Sequence, residues 1–490
     1  MPLALIEKAG WLGVERVTRL IGWWLWGLLS LTAVVGCASR PAPLAPALVS
    51  DACEQQFERW HLQVASQGRQ DAQDWSPPGF PYLRVDRLLA SFELADLSLA
   101  QRRDWLSRAH GKARQAWWFE REGGPADASG WLAGLHACSA QAIAELPEDE
   151  ASWRRLAATV RVPDDYRSGA QIAGLYPLVR PIVHWRATVT MQGLADRFGH
   201  YRALGRWRFY GPPETERQAP TAWQRDRLGI PVFEPAALER LFHRHAPVWR
   251  IDTRDRHDRP GTPGRGLDGR LRFGLEPVVY KHLGFAYVGG VIQPQLVYQI
   301  WFAARPAQSW PDIYAGALDG VVWRVTLDDR GRALVYDSIH PCGCYHQWVL
   351  VAGGLRPAAG LNRVLEQVWV LAEVSAGAPG PLVLSLSAGD HHLVGVQAGA
   401  MGAGFSGLGS LPVYRLEPLD RLRGRSAAGG RLYRSDGLIA GTERLERFLL
   451  WPTGVDSPGA MRQWGRHAVS FTSRRHFDDP HLLDRYFVLP

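Results

Sequence analysis

Lysine is nearly missing from this chain of 490 residues: it occurs only at Lys8, Lys112 and Lys281, so almost all of the 56 basic residues are arginine. The formal net charge of +8 then reflects residue bias more than a binding surface. The arginines alternate with acids, as in Arg254-Asp255-Arg256-His257-Asp258-Arg259. That pattern reads as a solvated charged loop rather than a phosphate-tracking stripe and argues against a nucleic-acid partner. The glycine-rich stretch Gly399 to Gly409 lacks the lysine and the following Ser/Thr of a phosphate-cradling loop, and reads as a connector. Asp252, Asp255 and Asp258 lack calcium-loop spacing and are assigned to solvent, within a polar loop from Asp252 to Gly269 expected to be mobile.

Cysteine is scarce too, with five in the chain, and each carries some of the argument. With 46% hydrophobic and 21% charged residues, long-range disorder is excluded. The length exceeds what one hydrophobic core usually supports, so two or three domains are expected.

Ile21 to Gly36 is an apolar run of sixteen residues, preceded by Arg16 and Arg19 and ending in Val34-Val35-Gly36-Cys37. A positive flank, a short apolar core and small residues at the cut are the features of a secretory signal, and the run is short for a membrane-spanning helix. The Val-Val-Gly-Cys ending resembles the lipobox of bacterial lipoproteins. That resemblance covers this segment alone. It implies cleavage after residue 36, a diacylglyceryl group on the Cys37 thiol and acylation, such as palmitate, of the new amino terminus. Two or three acyl chains anchor stably where one is marginal. Ala38 after the cysteine implies, in Gram-negative members, sorting to the outer membrane, facing the periplasm. The alternative is an uncleaved anchor, and the leading region with Glu7 and Glu15 leaves open a start codon further downstream. Residues 37–50, rich in proline and alanine, read as an extended tether reaching on the order of 40 Å.

Residues 51–215 read as a helical domain. Phe57, Trp60 and Val64 are spaced three and four apart; Leu88 to Leu94, Leu106 to Trp118 and Ala151 to Val160 continue the theme. Cys53 and Cys138 are a candidate disulfide in an exported protein, with buried free thiols as the alternative. Residues 216–269 read as a linker helix, Pro235 to His243, and the polar loop. Residues 270–412 read as a mainly antiparallel β domain, and 413–490 as a mixed segment packed against one of the two. The fold class expected is α+β.

Two hairpins stand out. Val321 to Leu327 turns through Asp328 to Gly331 into Arg332 to Ile339, which delivers the chain into His340-Pro341-Cys342-Gly343-Cys344-Tyr345-His346. Pro381 to Ser387 turns through Ala388 to Asp390 into His391-His392 and a further strand. Alternation would place His340, Cys342, Cys344 and His346 on one face, but a straight strand would separate the two imidazoles by roughly 20 Å, so a bend at Pro341 and Gly343 is expected. One metal site would use Cys342 and Cys344, His346 or His340, and one of His391 and His392, a set suited to zinc or copper. Asp390 would then fix a histidine tautomer. The competing readings are a Cys342–Cys344 disulfide, structural or redox-active, and inert thiols. Near the carboxyl terminus, Asp479-Pro480 reads as the cap and first residue of a helix, leaving His476 and His481 as outside candidates. The leading functional expectation is an envelope lipoprotein of binding or accessory type, held by its lipid and open to envelope protein partners. A metal-dependent or thiol-exchange enzyme and a purely structural lipoprotein stand beside it.

Overall fold

The helical spacing produces what it predicts. In the computed structural model, helix α1 (Asp51–Ser66) buries Phe57, Trp60 and Val64. Ser50 caps it by accepting the Cys53 amide at 3.4 Å, which satisfies one of the orphan donors of the first turn. The described residues are 50–121, 128–213, 223–359, 368–376, 380–399 and 412–490. The amino-terminal signal, Cys37, nearly all of the tether and nearly all of the Gly399–Gly409 connector lie outside them.

After α1 come α2 (Arg87–Ala90), α3 (Leu99–Arg121), α4 (Ala128–Glu145), α5 (Glu150–Thr159), α6 (Ser168–Ala173) and α7 (Tyr176–Arg197). A Cys53–Cys138 disulfide ties α1 to α4, with Cα atoms 5.3 Å apart. The helices pack around Trp105, Trp117 and Trp153, all at most 1% exposed. Their polar indole edges find backbone acceptors where they can: Trp105 donates to the Leu89 carbonyl at 2.9 Å and Trp153 to that of Leu94 at 2.8 Å.

Strand β1 (Arg206–Tyr210), helix α8 (Pro235–His245), β2 (Val248–Thr253) and β3 (Pro260–Gly266) follow. The end of β2 and all of β3 fall where a mobile polar loop was expected, from Asp252 to Gly269, and the reason is burial of the carboxylates. Asp252 accepts from the Leu204 and Gly205 amides and the Tyr201 hydroxyl at 2.6, 2.9 and 2.8 Å. Asp258 accepts from the Arg254, Asp255 and Gly389 amides. Both carboxylates are therefore buried rather than solvated; Asp258 anchors backbone that composition alone marks as loop, and Asp252 anchors the segment before β1.

The remaining strands longer than two residues are β4 (Leu271–Gly274), β5 (Val278–Val288), β6 (Val291–Arg305), β7 (Gly316–Leu327), β8 (Ala333–Ile339), β9 (Gln347–Val351), β10 (Val370–Val374), β11 (Leu382–Leu386), β12 (Leu393–Ala398) and β13 (Arg415–Pro418). The ten-stranded sheet runs β10-β9-β8-β7-β6, with β5 and β3 both pairing β6. The β5–β6–β7–β8–β9 pairings are antiparallel; the β9–β10 and β5–β13 pairings are parallel. A four-stranded sheet runs β1-β2-β11-β12, its central β2–β11 pair parallel. The fold is α+β, a helical portion followed by a mainly antiparallel strand-rich portion. Trp249, Ile251, Ile300, Phe302, Trp323 and Leu384 share one apolar core that joins strands of both sheets.

The described residues from Ser50 to Pro490 belong to a single compact unit. The carboxyl-terminal segment stitches its parts together. Arg423 pairs with Asp71 at 2.6 Å, and Gln463 donates to the same carboxylate at 2.8 Å. Asp479 does not cap a helix that starts at Pro480. It accepts the His481 amide at 2.9 Å in a turn, and helix α10 (Leu482–Tyr486) begins two residues after the proline; a short helix, α9 (Arg447–Leu450), precedes it in this segment.

Candidate functional site

The turn between β8 and β9 and the turn between β11 and β12 do converge, although they belong to different sheets, and a carboxylate between them joins the two. Asp319, on β7, accepts from His340 Nδ1 at 3.1 Å through one oxygen and from His391 Nδ1 at 3.0 Å through the other. The Nε2 of His391 lies 3.3 Å from Asp258 Oδ1, and its ring stacks on Phe302 with centroids 3.9 Å apart. His391 is thus fully buried between two carboxylates. Burial opposes its charge, but the hydrogen bonds to Asp258 and Asp319 outweigh burial and raise its pKa from 6.5 to about 8. For Asp319 burial works upward, and the two imidazoles overcome it, holding the carboxyl well below its ordinary range.

His392 joins the same cluster, although strand alternation would admit only one of the pair: both residues precede β12, and His391 has φ of 50°. The His392 ring lies 4.9 Å from that of His340 and 4.4 Å from that of Tyr345. Burial pushes its pKa well below 6.5, and its Nδ1 is buried without a hydrogen-bond partner. Asp390 stands 4.0 Å from His392 Nε2, too far for the tautomer-fixing bond expected of it. It pairs with Arg197 at 2.8 Å and with the Ser387 hydroxyl.

The His340 to His346 stretch is a tight turn rather than a strand. The His340 amide donates to the Cys344 carbonyl at 3.0 Å and the Gly343 amide to the His340 carbonyl at 2.8 Å. Gly343 has φ of 91°, and a Cβ there would stand 2.3 Å from the Ala468 carbonyl oxygen, so only glycine fits. The turn sends the two histidines apart. His346 leaves the Asp319 cluster and accepts a place beside Asp337, its Nε2 2.8 Å from Oδ2, while Arg324 grips the same carboxylate through two nitrogens at 2.9 and 2.6 Å. Burial lowers the His346 pKa to about 4 despite that carboxylate.

Cys342 and Cys344 are free thiols that face each other. The Cys344 thiol bonds to the Cys342 sulfur, which holds Cys342 below its ordinary value and pushes Cys344 well above it; the pair gives up its first proton easily and its second reluctantly. Cys342 is buried against Leu318, Leu432 and Met461, whereas Cys344 lines a cavity of about 160 Å³ between the turn and α7. Glu446, Tyr314, Phe471 and Met191 share that cavity. Burial raises the Glu446 carboxyl to about 7, against the pull of Arg444, Arg305 and Arg462.

Backbone strain concentrates here. Among the described residues five non-glycines have positive φ, and three belong to this site: Leu318 at 54°, beside Asp319; Tyr345 at 61°, after Cys344; and His391 at 50°. Such conformations persist only where surrounding contacts hold them, and they gather at functional sites.

Among the described residues no three His, Cys, Asp or Glu side chains form a metal-holding group. The His476 and His481 rings find other partners: His476 meets Asp165 at 3.3 Å, and His481 stacks on Tyr287 with centroids 4.5 Å apart. A second cleft of about 320 Å³ holds Lys112, but its ammonium is already bound by Asp74 at 3.0 Å and Asp86 at 2.8 Å.

Sequence reasoning missed Asp319, Asp258, Asp337 and Glu446. A signal existed for two of them, since Asp319 and Asp337 interrupt apolar strands (Gly316 to Leu327 and Ala333 to Ile339), and a carboxylate in a buried strand requires a partner. Comparison with known proteins returned no matching family model, no matching curated protein and no matching solved structure.

Proposed function

We propose that this protein is a lipid-anchored envelope lipoprotein of binding or accessory type whose working element is a redox-active thiol pair. The observation that carries the reading is the pair itself. Cys342 and Cys344 are unbonded, share a hydrogen bond, sit in a strained turn and open through Cys344 onto a largely apolar cavity. The lipobox-like Val34 to Cys37 supplies the anchor and an oxidising compartment, in which unbonded neighbouring thiols are chemically poised.

The step is thiol–disulfide exchange. The pair loses its first proton to solvent, and transfer of the remaining proton along the hydrogen bond from Cys344 to Cys342 places the thiolate on Cys344, the sulfur that reaches the cavity. That thiolate attacks one sulfur of a substrate disulfide; a mixed disulfide forms and the other substrate sulfur leaves as a thiolate. Cys342 then attacks Cys344, closing the protein disulfide and expelling the second substrate thiol. Two electrons pass from the protein pair to the substrate. The clustered imidazoles and Asp319 act as the frame that holds the turn.

Mass spectrometry of the alkylated, non-reduced protein after exposure to oxidised glutathione tests this. A glutathione adduct on Cys344 in Cys342→Ser, and an internal Cys342–Cys344 disulfide in the unaltered chain, are expected. Thiols that stay free in both proteins refute it. A second reading rests on the same facing sulfurs and on the unpartnered Nδ1 of His392: soft donors for zinc or copper. Metal content that is equal in the unaltered protein and in Cys342→Ser/Cys344→Ser removes that reading.

A further inference from the structure

Helix α7 is apolar on two opposite faces. At 100° per residue, Val183, Met191 and Leu194 point inward and are at most 9% exposed. Leu178, Ile182, Trp185 and Val189 fall within an arc of about 60° on the other side. These four are 73%, 63%, 59% and 47% exposed. A surface helix in a globular domain turns one apolar stripe to its core and charge to the solvent, so a second stripe needs a partner.

The stripe is part of a larger face. Ile172 and Leu175, just before α7, and Leu445, Phe448, Leu449 and Trp451, in and around α9, are all exposed. The two segments touch: Gln171 donates to the Thr453 carbonyl at 2.8 Å, and a Cβ on Gly174 would collide with Pro452. Ten large apolar side chains therefore lie exposed on two packed segments.

The charges on this face choose its occupant. From Tyr166 to Ala195 the chain has no aspartate or glutamate; Arg186 flanks the exposed stripe, about 70° from its middle, and Arg447 lies in α9. Among the described residues Arg186 and Arg447 make no ion pair, and they lie over Trp185 and Phe448 at 5.7 and 4.7 Å. A second copy placed on the same face would set these cations against their own kind. An anionic lipid surface takes both parts, phosphate on the arginines and acyl chains on the apolar side chains, with tryptophan at the interface.

We infer that the α7–α9 face is a membrane-docking surface, which inserts Leu178, Ile182, Trp185, Phe448 and Leu449 among the headgroups of an anionic leaflet. The cavity that reaches Cys344 lies against the opposite side of α7, at Val183, Ala187 and Met191, and against Leu450. The docking surface does not rest on the thiol reading, so the two fail separately.

Hydrogen exchange of the full chain, with and without vesicles of phosphatidylcholine and phosphatidylglycerol, tests the surface whatever the amino-terminal anchor does. Amides of 172–189 and 445–451 are expected to exchange about tenfold more slowly with vesicles and to lose that protection in Ile182→Glu/Trp185→Glu, whose melting temperature should match the parent's. Protection should weaken when phosphatidylglycerol is omitted or salt is raised. Vesicle-bound protein with unchanged exchange in these peptides overturns the proposal. So does protection that appears without vesicles and grows with protein concentration, which marks self-association, or protection already complete in dilute protein, which marks cover by the chain's own residues.

Discussion

Replacing Asp319 with asparagine keeps the shape of the hub and removes its charge, and the cost should depend on pH. Asp319 and Asp258 together raise His391 from 6.5 to about 8. A folded pKa above the unfolded one stabilises fully below pH 6.5, and that contribution is lost as pH rises through 8. A shift of roughly 1.5 units corresponds to about 2 kcal/mol. Asp258 remains in the variant, so about half of this, ~1 kcal/mol, should disappear with Asp319. The variant also leaves a buried imidazole pair without its carboxylate, a cost of about 3 kcal/mol or more, the same at both ends of the pH range. His340 adds little between pH 6 and 9, because burial lowers its pKa below 6.5 even with Asp319 present. Denaturant unfolding at pH 6 and pH 9 measures the difference, and NMR titration of the His391 ring follows the cause. The loss should be about 1 kcal/mol larger at pH 6. Equal losses at the two pH values, or a His391 that still titrates near 8, would refute the proposed electrostatics.

Gly343→Ala forces a Cβ to 2.3 Å from the Ala468 carbonyl at φ of 91°; a stability loss above about 1 kcal/mol is expected in denaturation, together with faster alkylation of both thiols as the turn opens. Breaking the Cys53–Cys138 bond by a double alanine change removes a cross-link across 85 residues, which should cost about 4 kcal/mol in chemical unfolding; a loss under 1 would show that the helices hold without it. Asp337→Asn strands Arg324, 1% exposed, and should cost about 3–5 kcal/mol, whereas replacing both by apolar residues should recover much of it, as measured by thermal melts. Glu446→Gln removes a negative charge that raises both thiols, so the midpoint of iodoacetamide reactivity against pH should move down; a midpoint that stays or rises contradicts the placement of that carboxyl beside the pair.

Local pattern was legible in the chain. The helices spaced by Phe57, Trp60 and Val64, and the hairpins around Asp328 to Gly331 and Ala388 to Asp390, follow from side-chain periodicity and turn residues that act within a few positions. Periodicity also identified the two tips and the bend at Gly343. What it missed depended on distant partners. Asp258 reads as one more charge in a polar run until the Gly389 amide, 131 residues on, and His391 enclose it. Helix α7 lay inside a stretch read only as helical, and its second apolar face becomes visible once the first is known to be buried.

The amino-acid sequence by itself determined where the chain coils, extends and turns, and that its thiols and imidazoles would cluster at hairpin tips, because those choices are made by neighbours in the chain. Only the tertiary structure decided which of them meet. Asp319 draws His340 and His391 together across 21 and 72 residues, while Asp337 takes His346 away. A buried carboxylate must satisfy its charge with whatever donors packing brings within reach.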